Sequence, residues 1–368
     1  MTDPVQAVRR LGQSIWLDFI SRGLITSGQL KQLVAEGIRG VTTNPTIFHK
    51  AVTSGADYDK AIRDILSSDH DIATKALYDR LVVEDIQMAT DILRPVYEQT
   101  DGIDGLVSLE PPAQLAYDTE ATIAEARRLW QLVARPNVMI KVPSTPPGVA
   151  AVEKLIAEGL NINITLMFSL KHYDAVAQAY VRGIARNAHP QRVASVASFF
   201  VSRVDTYVDR ELEKIATAEA LALRGKAAIA NSKLVYRRFR RLFSGEEFAA
   251  QRQRGARVQR LLWGSTGTKN PAYSDVLYVD ELIGADTVNT LPLETIALFR
   301  DHGLVGGTLG EGIKEAEQVL AGLKKVGVNL DAITEQLQKD GVKAFADSLD
   351  ELLVALEKKR DQLRSQRG

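Results

Sequence analysis

Eight short runs of strand character, each separated from the next by a stretch of helical period, constrain this chain more than any other feature. They are residues 15–20, 40–44, 105–110, 137–145, 161–167, 192–200, 257–265 and 286–292. Most are rich in β-branched or aromatic residues and bounded by Gly, Pro or Asn, as strands buried on both faces are. The stretches between them carry apolar spacing of three and four with clear stops. Val149, Val152, Leu155 and Ile156 precede Gly159, and Tyr173, Val176, Tyr180 and Ile184 follow a capping Ser169. Such alternation makes either a closed (β/α)8 barrel or an open doubly wound sheet. The open sheet carries a glycine-rich turn after its first strand, and none follows residues 15–20. The run from Gly307 to Gly312 lies late, after no strand, and reads as a helix entry. The expectation is therefore an α/β fold, one (β/α)8 barrel domain over residues 1–368. It carries a lead-in helix, a helical insertion at about 46–100 and C-terminal helices at about 310–365. Repeats, low-complexity segments and linker-like breaks are absent.

In a barrel, side chains at the carboxyl ends of the strands converge on one mouth, where chemistry is sited. The polar residues that interrupt these runs are Asp18, Asn44, Glu110, Lys141, Asn163, Thr165 and Ser198, drawn from the first six strands. Singly each has a plain structural reading: Asn44 as a turn residue before Pro45, Glu110 as a strand end, Thr165 as a β-branched filler. Jointly they place two carboxylates, one amine and four hydrogen-bonding groups around one pore. Lys141 is the most telling. It lies in Asn137-Val-Met-Ile-Lys141-Val-Pro143, and burying an ammonium is costly. A desolvated lysine can attack a carbonyl as a free amine. At an ordinary pKa near 10.4, roughly one lysine in a few thousand is neutral at pH 7. Lowering that pKa to about 7 costs the charged form roughly 4–5 kcal/mol, within reach of burial and a cationic neighbour.

Composition closes off other chemistries. The chain has no cysteine, and its five histidines lack ligand spacing, so no metal and no thiol chemistry is expected. The formal charge is zero, so no general attraction to nucleic acid or membrane is implied. With no long apolar run and no signal-peptide pattern, a cytoplasmic location is expected.

Three motifs go further. Thr42-Thr-Asn-Pro45 closes the second run, and Ile140-Lys141-Val-Pro-Ser144-Thr145-Pro-Pro-Gly148 closes the fourth. The fifth reads Asn163-Ile-Thr165-Leu-Met-Phe168-Ser169. Together they resemble the transaldolase family, and the resemblance runs through all eight strands. It implies Lys141 as the imine-forming lysine and Asp18 as the acid/base for carbon–carbon cleavage. It implies Glu110 and Thr165 as holders of a proton-shuttling water, and Asn44 and Asn163 on substrate hydroxyls. Ser198 and Ser265 join the substrate site, with Arg203 on the sugar phosphate. The implied reaction moves a three-carbon dihydroxyacetone unit from a ketose phosphate to an aldose phosphate, without a cofactor. Two positions depart from the family pattern: Phe199 stands where a proline is usual, and Lys269 stands where an arginine commonly follows the seventh strand. A lysine binds phosphate as a point charge and not as a fork. The length fits a longer bacterial subtype.

Two other readings remain at this level. A class I aldolase would use the same Lys141 but release the three-carbon unit to water. Residues 236–260 hold eight arginines among Tyr236, Phe239, Phe243 and Phe248, a pattern that a nucleic-acid binder can share with a solvated helix face. The chain is read as a monomer or a homodimer, with Leu349, Leu352, Leu353 and Leu356 packing on the barrel or on a partner.

Overall fold

The computed structural model describes residues 3–366 and contains a closed barrel. Its strands are β1 (Gln13–Leu17), β2 (Gly40–Val41), β3 (Leu106–Leu109), β4 (Val138–Pro143), β5 (Ile162–Met167), β6 (Ser195–Phe200), β7 (Arg260–Gly264) and β8 (Thr287–Leu291). They pair in sequence order, all parallel, and β8 closes onto β1. Helices surround them, which makes this the (β/α)8 barrel that the alternation predicts.

Several ends differ from the sequence reading. β1 starts two residues earlier than expected, because the polar Gln13 and Ser14 pair with Thr287 and Val288. It also stops at Leu17, so Asp18 stands just beyond the ladder. β6 and β7 begin three residues later than expected, and Pro190–Arg192 is a 3-10 turn. The segment after β2 holds three helices, Pro45–Thr53, Asp59–Ser68 and Thr74–Gln99. After β8 come Leu293–His302, Ile313–Lys325 and a 36-residue helix, Leu330–Ser365.

The barrel interior is layered. Its amino-terminal end is plugged by a polar knot in which Arg260 pairs with Asp104 at 2.9 Å, and Ser14 Oγ and Trp16 Nε1 both donate to that carboxylate. Above lies an apolar layer of Trp16, Leu106, Met139, Val196, Leu262 and Val288. Gly40 is required beside it, because a Cβ there would stand 2.4 Å from the Trp16 ring. The strands alternate with period two, so the next inward positions up β3, β4, β5 and β6 are Ser108, Lys141, Asn163 and Ser198. The larger core lies outside the strands, between barrel and helices.

The arginine-rich stretch belongs to this outer core. Tyr236, Phe239, Phe243 and Phe248 are buried and pack on one another and on Tyr180. Arg237, Arg238 and Arg257 pair with Glu317, Asp174 and Asp101. The aromatics are packing residues, and these arginines serve neighbouring carboxylates.

The helix Leu330–Ser365 crosses the carboxyl end of the barrel. Gln338 Nε2 donates to Ser144 Oγ at 2.8 Å and to the Leu166 carbonyl at 3.2 Å. Ser348 bonds Thr46 at 2.9 Å, and Gln114 donates to Asp350 at 3.0 Å. Leu349, Leu352 and Leu356 are buried within this chain, whereas Leu353 is only partly so. Among the described residues no helix is long and apolar enough to cross a membrane.

Candidate active site

A cavity of about 280 Å³ opens at the carboxyl end of the barrel, and Lys141 lies at its floor. The lysine is 4% exposed because β4 is covered on both faces. Its Nζ donates to the Thr43 carbonyl at 2.9 Å and lies 3.0 Å from Glu110 Oε2. Burying two charges is offset only when they meet each other with good geometry, and this pair is almost wholly removed from solvent. Burial pushes the Glu110 carboxyl up from its ordinary range, with Lys141 opposing. A carboxylate with a raised pKa in contact with a buried lysine is placed to take a proton from it.

Asp18 faces the same cavity from the end of β1. Thr42 Oγ1 donates to its Oδ1 at 2.7 Å and lies 2.6 Å from Thr290 Oγ1. Burial raises the Asp18 pKa, and the Thr42 hydrogen bond, Lys141 and Arg203 pull it back. Two carboxylates with raised pKa values thus stand near one amine: Asp18 lines the cavity, whereas Glu110 meets Lys141 from outside its lining.

Asn44 keeps its structural role and lines the cavity as well. Its Oδ1 caps the helix Pro45–Thr53 by accepting from Ile47 N at 3.0 Å. Thr165 also faces the cavity. Its buried Oγ1 has no hydrogen-bond partner among the described residues, and neither Glu110 oxygen has one of good geometry. The register of β5 shifts here, and Leu166 has a left-handed φ of 59°. A non-glycine residue in that region costs about 1–3 kcal/mol, and Gln338 and Ser144 Oγ, both donating to the Leu166 carbonyl, hold it in place.

Asn163 differs from expectation. It sits beside Lys141 in the ladder but outside the cavity lining, where its Nδ2 donates to Ser108 Oγ at 2.9 Å. Its Oδ1 accepts from Ser198 Oγ at 2.6 Å. Both ends of the amide are engaged, so Asn163 orients Ser198, which does line the cavity.

Arg203, Ser265 and Lys269 form the far wall. Arg203 has no carboxylate within ion-pair distance among the described residues, and its guanidinium lies 5.4 Å from the Phe200 ring centroid. Burial disfavours its charge, and Asp18 offsets this in part. An incoming phosphate would supply the missing partner. The two departures from the family pattern separate here. Phe199 points away from the mouth to pack edge-on against Trp263 at 6.1 Å, whereas Lys269 lines the cavity.

Thr42, Lys50, Phe200, Thr290 and Phe345 also line the mouth and were not singled out from sequence. Thr42 and Thr290 had a signal, being hydroxyl residues at strand ends. Lys50 and Phe345 had none, because each is one of many such residues on a helix. Among the described residues no three His, Asp or Glu side chains converge as metal ligands would.

Residues 15–356 match the family described as Transaldolase/Fructose-6-phosphate aldolase. The transaldolase of Thiobacillus denitrificans is 48% identical over 354 residues, spanning 95% of this chain and 98% of that protein. The transaldolase of Thermobifida fusca is 46% identical, spanning 96% of this chain and 97% of its own length. That of Acidothermus cellulolyticus is 44% identical across the whole of both chains. The chain belongs to the transaldolase/fructose-6-phosphate aldolase family.

Proposed function

We propose that the mouth transfers a dihydroxyacetone unit between sugar phosphates through a Schiff base on Lys141. Relatives named transaldolase along their full length make the enzyme a transferase, and a role in the non-oxidative pentose phosphate pathway follows from the family. The donors are fructose 6-phosphate or sedoheptulose 7-phosphate, and the acceptors are erythrose 4-phosphate or glyceraldehyde 3-phosphate. The observation that carries the reading is Lys141, buried at the floor of the cavity between Glu110 and the Thr43 carbonyl.

Each residue has a chemical task. Lys141 gives its proton to the Glu110 carboxylate, and its amine adds to the ketose carbonyl. Water leaves through proton transfers in which the unpartnered Thr165 hydroxyl and Glu110 take part. The protonated imine draws electrons as the bond between C3 and C4 breaks. Asp18 takes the C4 hydroxyl proton at that step, releasing the aldose phosphate and leaving an enamine on Lys141. The acceptor aldehyde then takes the enamine carbon, and Asp18 returns the proton. Asn44 and Ser198 hold substrate hydroxyls, with Asn163 setting Ser198, while Arg203, Ser265 and Lys269 hold the phosphate. The full-length relatives named transaldolase favour transfer to an aldehyde over release to water. Sugar phosphates are the proposed partners, the protein acts as a monomer or homodimer, and its location is cytoplasmic.

Borohydride reduction in the presence of fructose 6-phosphate tests the reading. A three-carbon adduct should appear on Lys141 and on no other lysine. An adduct elsewhere, or none, would remove it.

A further inference from the structure

The helix Leu330–Ser365 brings one aromatic ring to the reacting nitrogen. Phe345 is 4% exposed, lines the mouth, and its ring centroid lies 5.7 Å from Lys141 Nζ. Its place is fixed on both sides along one helix face. Two turns earlier Gln338 is bonded to Ser144 and Leu166, and one turn later Ser348 is bonded to Thr46. Gly341, between them, lies so close to Leu166 that a Cβ there would approach Leu166 Cδ2 to 2.8 Å. A ring placed for packing alone would not need a cation in front of it.

We propose that Phe345 is a positioning residue that sets the fate of the three-carbon unit, resting on the Lys141 Schiff-base reading above. The nitrogen at this place is a cation twice, as ammonium and as protonated imine, and the aromatic face favours each cation in a desolvated site. Between the protonated imine that cleaves and the one that follows lies the neutral enamine, with two exits. In transfer, its nucleophilic carbon bonds to the acceptor aldehyde and the protonated imine returns. In release, that carbon takes a proton delivered from water, and the resulting protonated imine is hydrolysed by a second water. The Lys141 amine and free dihydroxyacetone are then regenerated. Transfer too ends in hydrolysis of its imine, so the exits differ in the protonation of the enamine carbon, for which release needs water at the spot that Phe345 covers. The ring suppresses it by excluding solvent while leaving the side toward Arg203 and Lys269 open to a phosphorylated aldehyde.

The test compares Phe345→Ala and Phe345→Leu with the wild-type enzyme. Dihydroxyacetone release from fructose 6-phosphate without acceptor is measured against transfer to erythrose 4-phosphate. Phe345→Ala should raise the ratio of release to transfer by about tenfold, because water reaches the enamine. Phe345→Leu keeps apolar bulk without a ring face, so its ratio should stay near wild type. Its borohydride-trapped adduct should form at about the wild-type rate, because the ring face favours the ammonium and the protonated imine alike. Leu352→Ala, on the same helix but away from the cavity, controls for loosening of the whole helix and should leave the ratio unchanged. Equal loss of release and transfer in Phe345→Ala would overturn the inference, as would a raised ratio in Leu352→Ala. A wild-type enzyme that forms no Lys141 adduct would instead sink the Schiff-base reading itself. If Phe345→Ala does not fold, Phe345→Val, whose smaller side chain also admits water, takes its place, and a wild-type ratio of release to transfer in it overturns the proposal.

Discussion

Thr42 donates to Asp18 at 2.7 Å, tying the residue after β2 to the residue after β1 at the rim of the barrel. That hydroxyl stabilises the ionised carboxylate against the burial that raises its pKa. Thr42→Val should therefore move the acid limb of the pH–rate profile upward by about one pH unit, the size of one charge-assisted hydrogen bond. The sign is definite: removing a donor favours the protonated acid, so the base form appears only at higher pH. A profile that stays in place would show that Asp18 is not the group that titrates in the reaction.

Asp18→Asn should still form the imine but stall before the carbon–carbon bond breaks. General-base loss costs about 10²–10⁴ in rate. The intact ketose-phosphate adduct should accumulate on Lys141 and be seen by mass after reduction. If Asp18 served only to neutralise Lys141, cleavage would persist and the trapped adduct would already be trimmed to three carbons.

Arg203→Ala should raise KM for sugar phosphates by about tenfold or more, and far less for unphosphorylated analogues, since a contact remote from the reacting carbons is lost. Lys269→Ala should act in the same direction and more weakly, being a single point charge. Equal effects on both substrate types would remove either residue from the phosphate site.

A stability prediction concerns the elements behind β1. Asp85 is fully buried in the helix Thr74–Gln99, pairs with Arg22 at 2.7 Å, and accepts from Tyr58 OH at 2.7 Å. Asp85→Ala leaves the exposed Glu84 as the one carboxylate on the Arg22 guanidinium, which should cost about 3 kcal/mol in urea unfolding. An unchanged midpoint would mean that Arg22 escapes to water.

The barrel and the floor of its mouth were legible from sequence because both rest on local pattern. Period-two alternation carries Ser108, Lys141, Asn163 and Ser198 inward, and the run lengths mark where each strand ends. What stayed hidden depends on contacts between distant parts of the chain. Asn163 looks identical in sequence whether or not it bridges Ser108 and Ser198, as it does here. Phe345 gave no sign, because helical period says which face is apolar and not what that face covers. Gln13 and Ser14 do not read as strand for a related reason, since Gln13 is kept in the buried ladder by the Leu282 carbonyl and Thr287, and Ser14 by Arg260 and Asp104, all far along the chain.

The clamp on β5 also bears on the order of folding. Gln338 reaches the Leu166 carbonyl over a sequence separation of 172, whereas strands consecutive in the chain meet over far shorter loops. Long loops close late, so an intermediate with consecutive strands paired, but with β8 not yet closed on β1 and the mouth unroofed, should precede the native state. In that intermediate the left-handed turn at Leu166 lacks the Gln338 bond and is held by Ser144 Oγ alone. Refolding should accordingly recover its helical circular dichroism before it recovers the capacity to trap substrate on Lys141, with the lag between the two reporting the docking of the roof.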